Sequence, residues 1–347
     1  GQAEIQVTLR SMRPGMRDFG SIELYSQEQT FIASASLGTL NIYDGFCPVY
    51  YSQPNHTVLE KLRRLVFDTT PTLMPIAIGG CGGIGKSSLI SEIMVTAAQQ
   101  GYLCCDLMQP KDLLHSRSVL YRLFAELIRP NIPHNTVLPD IPSQLQTYMG
   151  ANYRSEWKND LNLFFYSSDQ EVNPISLAQC LVTLLLSEAQ DGPVFLWMSN
   201  MHWASKETID ILRMVIDELV ANQELLEGRI LWLFEGRSGE VLSYERQTYY
   251  PVDWERFLTN SFLHTYNLAM WNWEDCRHFL QQLFIEPKGS QSLYNNYFDK
   301  LLNNTCGIPM QMLEMIRIHL EQDILYVDPV CNYRLRIRHH LSVGIGW

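Results

Sequence analysis

Residues 80–87, Gly80-Cys81-Gly82-Gly83-Ile84-Gly85-Lys86-Ser87, carry the spacing G-x-x-x-x-G-K-[ST]. The chemistry this spacing serves is phosphate binding. Glycines let the backbone curl so that successive N–H groups point inward at anionic oxygens. A helix opening near Lys86 adds the positive end of its dipole. Lys86 brings charge to β- and γ-phosphates, and the Ser87 hydroxyl is the candidate metal ligand, for Mg2+. Gly80, Gly82, Gly83, Ile84, Gly85, Lys86, Ser87 and Ser88 are therefore the candidate nucleotide-binding residues, with ATP or ADP and Mg2+ as ligands. A plain glycine-rich turn would need neither the lysine nor the hydroxyl that follows it.

Hydrolysis asks for more. A carboxylate at the end of a second apolar strand normally contacts the metal shell, and an adjacent group orients the attacking water. The stretch "PVFLWMSNMHWAS" (193–205) has the strand, but Ser199 and Asn200 stand where the acids belong. Both accept hydrogen bonds; neither carries charge. An amide in place of a carboxylate removes a contact roughly twice as strong as a neutral one. The candidate catalytic residues are Asn200, Glu235 and Arg237. Asn200 could hold a metal-bound water. Glu235, ending the strand "RILWLFEG", either approaches the γ-phosphate or faces solvent or a lid. Arg237 is either a phosphate sensor or half of a surface ion pair. His202 is either a substitute base or a ring packed beside Trp203.

These residues need a scaffold, and the hydrophobic pattern describes one. "MPIAIGG", "YLCCDLM", "PVFLWMS", "RILWLFEG" and "FLHTYNLAM" read as strands. The first four alternate with the amphipathic helices "KSSLISEIMVTAAQQ", "SVLYRLFAELI", "ISLAQCLVTLLLSEAQ" and "KETIDILRMVIDELV". Continuous apolar strands between helices predict an α/β fold, a parallel sheet covered on both faces. The prolines at 130, 133, 139 and 142 mark a loop or inserted helices. Residues 22–51 alternate in strand fashion, with turns at Ser26-Gln27 and Gly38, which predicts two or three short strands. Residues 55–68 have helical spacing, and after residue 270 the signal is helical. The expected organisation is a β-rich segment at 1–50, a P-loop core at 51–268 and a helical lid with a hairpin at 269–347. "WNWEDC" (271–276) reads as core more readily than as a base-stacking platform.

Composition narrows the function. A net charge of −11 gives no basic footprint for nucleic acid. The local cluster "YRLRIRHH" (333–340) reads as an edge strand or hairpin. Eight cysteines contain no CxxC pair and no zinc-ligand spacing, so free thiols in a reducing, cytoplasmic setting are expected. No apolar run reaches the ~18 residues of a membrane span. The start at "GQAEIQ", without methionine, fits a piece of a larger chain with further domains or protein partners.

With these motifs in order, the chain resembles the signal-transduction (STAND-type) ATPases related to AAA+ proteins. That module is fused to kinases, transcription regulators and class III cyclases of the soluble adenylyl cyclase type. "VFLWMSNMHWAS" resembles their Walker B segment, matching at His202, Trp203 and Ala204 and departing at Ser199, Asn200 and Ser205. "RILWLFEGRSGE" resembles their sensor strand with its arginine, here Arg237. "CGIPMQMLEMIRIHLEQDILYVDPVCNYRLR" resembles the lid's glycine-x-proline helix and hairpin, which implies that Pro309 lies against adenine. Where that family carries a "G-R-E" box, this chain has "YYSQPNHTVLEKL", without its Gly and Arg. The resemblance implies an ATP-binding regulatory or scaffold module with weak or absent hydrolysis. The alternatives are an active ATPase switch that drives lid closure, and a structural protein that binds no nucleotide.

Overall fold

The computed structural model describes residues 15–18, 21–25, 31–36, 39–42, 52–68, 70, 72–107, 118–128, 141–167, 172–238, 242–244, 247–249, 251–286, 289–328 and 334–338. The chain divides into two compact units: Thr57–Ala269, and the chain up to His56 together with Met270–Trp347. Four short strands come first: β2–β4 fall in the stretch read as two or three strands, and β1 precedes it. β1 (Gly15–Asp18) pairs antiparallel with β4 (Thr39–Ile42), and β2 (Ser21–Tyr25) with β3 (Phe31–Ser36). Helix α1 (Gln53–Phe67) leads into the first unit.

That unit is an α/β P-loop fold. Its strands β5 (Thr72–Gly79), β6 (Leu103–Leu107), β7 (Val194–Met198), β8 (Arg229–Glu235) and β11 (His264–Asn267) form one sheet in the order β11-β5-β8-β7-β6. Every neighbouring pair in it is parallel. All positions of β7 and β8 are buried, as continuous apolar strands in the middle of a sheet covered on both faces must be. β11 is a short edge strand, exposed at three of its four positions; it is narrower than the apolar run "FLHTYNLAM" suggests. The hairpin of β9 (Leu242–Tyr244) and β10 (Gln247–Tyr249) had no sequence forecast.

The covering helices are α2 (Lys86–Gln99), α3 (Ser118–Ile128), α4 (Ile141–Met149), α5 (Trp157–Tyr166), α6 (Pro174–Asp191), α7 (Lys206–Ala221) and α8 (Val252–Leu258). Two of them, α4 and α5, occupy part of the proline-containing stretch; residues 129–140 lie outside the described ones. Helix starts follow local chemistry: Asn173 caps α6 ahead of Pro174, and the Ser205 hydroxyl caps α7 by accepting from the Thr208 N–H at 3.2 Å. Leu196, Met198, Trp232 and Phe234 join α3–α8 in one continuous core on one sheet face. α2 buries Leu89, Ile90, Ile93 and Met94 against β6, β7 and β8 from the other face. Phe234 contacts Trp232 and Phe257 with ring centroids 5.2 and 5.0 Å apart, and Phe257 meets Trp254 at 5.9 Å. Such pairs add about 0.5–1.5 kcal/mol each beyond burial. Because side chains alternate along a strand, anchoring Phe234 on the α8 face sends Glu235 to the α2 face.

The second unit contains α9 (Trp273–Leu283), α10 (Gln291–Thr305), α11 (Pro309–Glu321) and the antiparallel hairpin β12 (Leu325–Asp328) with β13 (Arg334–Ile337). The hairpin agrees with the reading of the basic cluster. An Asn272–Asp275 capping box starts α9. Phe279, Phe284, Tyr294, Tyr297, Phe298 and Leu301 fill the core, joined by buried Trp271 and Cys276. Among the described residues no helix is long and apolar enough to cross a membrane. The described cysteines are free thiols; burial pushes those of Cys104, Cys180 and Cys276 up to about 12.

Candidate functional site

The loop between β5 and α2 stands where the strand order changes direction, with β8, β7 and β6 to one side of β5 and β11 to the other. Open α/β sheets bind ligands at such a place, beyond the carboxyl ends of the strands. Gly80, Gly83 and Gly85 have φ of 131°, 79° and 101°, values that side chains rarely adopt, so the curl depends on glycine here. Gly85 is the last residue before α2, whose first turn is Lys86-Ser87-Ser88. The Ile84 side chain turns into the core at 2% exposure, leaving only its backbone for a ligand. Ser87 and Ser88 are exposed.

Lys86 is buried, and its Nζ donates to the Gly80 and Cys81 carbonyls at 2.9 and 2.8 Å. The ammonium is thus held inside the loop that its charge is expected to serve. The Ser87 Oγ donates to Glu235 Oε1 at 2.6 Å, and the Trp197 Nε1 donates to Glu235 Oε2 at 3.1 Å. Glu235 is 5% exposed. It does not face solvent, which corrects that alternative from the sequence. The cause lies in the sheet: β8 is inserted between β5 and β7, with Ile78 opposite Glu235 and Met198 opposite Phe234. Burial raises the carboxyl above its usual range, while Ser87, Lys86 and Trp197 each pull it down.

Arg237 lies over the loop. A Cβ built on Gly82 would come within 2.9 Å of its Cζ, so the guanidinium occupies the space that a side chain at Gly82 would need. The Arg237 backbone N–H donates to His202 Nδ1 at 3.2 Å. That bond occupies the Nδ1 lone pair and places the neutral ring's proton on Nε2. His202 is buried, with its ring centroid 5.1 Å from that of Trp203. The packing alternative for His202 therefore fits the geometry better than the base. Ser199 is buried at the end of β7; Asn200, partly exposed, takes a left-handed conformation with φ 56° and ψ 31° and opens a short 3-10 turn, Met201–Trp203.

Sequence reasoning missed three members of this cluster. Ser238 accepts from the Gly80 N–H at 2.8 Å and donates to Asn267 Oδ1 at 3.3 Å, which ties the loop to the edge strand. Trp197 is the third. Ser238 follows directly on "EGR" and was within reach of a reading that looked one residue past Arg237; Trp197 and Asn267 had no local signal. Pro309 is buried in the second unit at the first position of α11, where proline is favoured. Among the described residues no group of three or more His, Cys, Asp and Glu side chains could hold a metal ion by itself. The oxygens of Ser87 and Glu235 are the hard donors that suit Mg2+, and the remaining ligands would come from phosphate and water.

Sheet and loop together define the class: an α/β protein of the P-loop NTPase fold. No family model matches the chain, and no curated protein is significantly similar to it. Among solved structures, AMPPCP-bound DnaA from Aquifex aeolicus is similar over 81% of this chain and 68% of that one, with a TM-score of 0.39 and 11% identity.

Proposed function

We propose that the chain is an ATP-binding regulatory module of a larger signalling protein, which holds a Mg2+-bound nucleotide at residues 80–88 and hydrolyses it slowly. One observation carries the reading: a buried Lys86 ammonium and an exposed Ser87 hydroxyl stand together at the start of α2, in a loop whose positive-φ glycines hold the nest open. Nothing in folding alone requires that combination. Slow turnover follows from what surrounds it. Ser199 and Asn200 supply no charge, and His202 spends Nδ1 on the Arg237 N–H. Glu235 is held by two hydrogen bonds, from Ser87 and from Trp197, which direct its carboxylate onto the Ser87 hydroxyl. A general base must instead be aimed at the attacking water.

The active-switch alternative draws on the same Glu235, because its carboxylate stands one hydrogen bond from Ser87. Regulation within a longer signalling chain rests on the order of motifs shared with STAND-type modules, as does contact between Pro309 and adenine. Two measurements test the proposal. A fluorescent ATP analogue should bind the purified chain, and phosphate release should stay near background with Mg2+ present. Brisk, Lys86-dependent release would establish the switch instead; absence of binding would leave only a structural role. Photolabelling with an azido-adenine nucleotide should mark the peptide that contains Pro309.

A further inference from the structure

We propose that Glu235, at the end of β8, is the carboxylate that positions Ser87 and supplies negative charge to the shell of the nucleotide-bound Mg2+, in place of the acids missing from β7. This inference rests on the reading of residues 80–88 as a nucleotide site.

A serine hydroxyl has one proton and two lone pairs. To offer a lone pair to a cation, it must direct its proton away from it. Glu235 Oε1 is the acceptor for that proton, at 2.6 Å, a separation typical of a hydroxyl bonded to a carboxylate. The bond therefore turns Ser87 into an oriented donor rather than a free rotor. Trp197 holds the other carboxylate oxygen at 3.1 Å, and its indole is fixed in turn by a fully buried β7. The acid thus keeps one orientation, set by two strands. Placing a carboxylate in such a site is costly unless a cation compensates it. Lys86 supplies part of that compensation through space, while its Nζ donates to the Gly80 and Cys81 carbonyls. A divalent cation at Ser87 would meet the charge that the site already carries. Ser199 follows β7 directly, one residue beyond the Met198–Phe234 pair, and extending that register sets it beside Glu235. The carboxylate that reaches this hydroxyl thus stands on β8, one strand over from β7.

The test uses the intact chain, a non-hydrolysable fluorescent ATP analogue, and either Mg2+ or a chelator. Affinity of the parent should rise about tenfold or more with Mg2+. Glu235→Gln and Ser87→Ala should each abolish that gain, and the double variant should lose no more than either single one. Retention of the Mg2+ gain in a folded Glu235→Gln protein would overturn the proposal. Difference infrared spectra of the parent make the test independent of how Glu235→Gln folds. Adding Mg2+ to the analogue complex should shift a buried carboxylate band that stays still in Ser87→Ala; an unshifted band in the parent counts against the proposal. If the parent binds no analogue under any condition, the nucleotide site itself falls and this inference with it. Binding without dependence on Glu235 refutes the inference alone.

Discussion

Replacing Lys86 separates the ligand's need for charge from the fold's need for the side chain. Lys86 is 6% exposed, and its Nζ satisfies two loop carbonyls, so the residue is more than a ligand arm. Hydrogen bonds to charged groups contribute about 1.5–3 kcal/mol each. Losing one such bond to phosphate lowers affinity about tenfold, and losing two lowers it about a hundredfold or more. Lys86→Ala also strips the aliphatic stem and leaves the Gly80 and Cys81 carbonyls without the ammonium. Partly exposed Gly82, Gly83 and Gly85 let water replace it, so the melting temperature should fall only modestly. Lys86→Met keeps most of the stem and removes only the charge. It should melt closer to the parent than Lys86→Ala while showing the same loss of affinity, measured by anisotropy of a labelled ATP analogue. If Lys86→Met bound the analogue within about twofold of the parent, the loop would not be a phosphate site.

Asn200→Asp should raise phosphate release about tenfold or more, since it adds a charge at the end of β7 in a backbone conformation that Asp tolerates. Ser199→Asp should lower the melting temperature, measured by calorimetry, because it places a second buried carboxylate beside Glu235. Gly236→Ala should cost about 1–3 kcal/mol in a denaturant titration, because its Cβ would lie 2.4 Å from the indole of fully buried Trp254. His319 is buried with Nδ1 2.8 Å from the Tyr297 hydroxyl, and burial lowers its pKa from 6.5. The unfolded chain then takes up the proton first as pH falls, so stability should drop below about pH 6.5 until the folded value is passed. Urea midpoints on either side of that pH should differ for the parent and much less for His319→Gln.

The phosphate loop was legible because its requirements are local: glycines for the curl, then a lysine and a hydroxyl on the first helical turn. The central strands were legible for a related reason, since "VFLWM" and "RILWLFE" are apolar at every position only if both faces are covered. Glu235 was visible as a candidate, but its partner was not. Ser87 and Glu235 are 148 residues apart, and they meet because β8 lies between β5 and β7, a strand order that no local pattern encodes. The same holds for Arg237 over Gly82 and for Asn267 beneath Ser238. Short edge elements such as β11 and the β9–β10 hairpin bury little apolar surface and leave little periodicity to read.

Asn200 adds a consequence in the currency of descent. A left-handed backbone at that position favours three residue types, Gly, Asn and Asp, and only one of them is an acid. Asparagine and aspartate are nearly isosteric, and their codons differ by a single base. Selection for a folded chain therefore fixes the turn and is indifferent to the charge. On the reading proposed above, a single-base change at this codon can quicken turnover of the nucleotide without disturbing the turn.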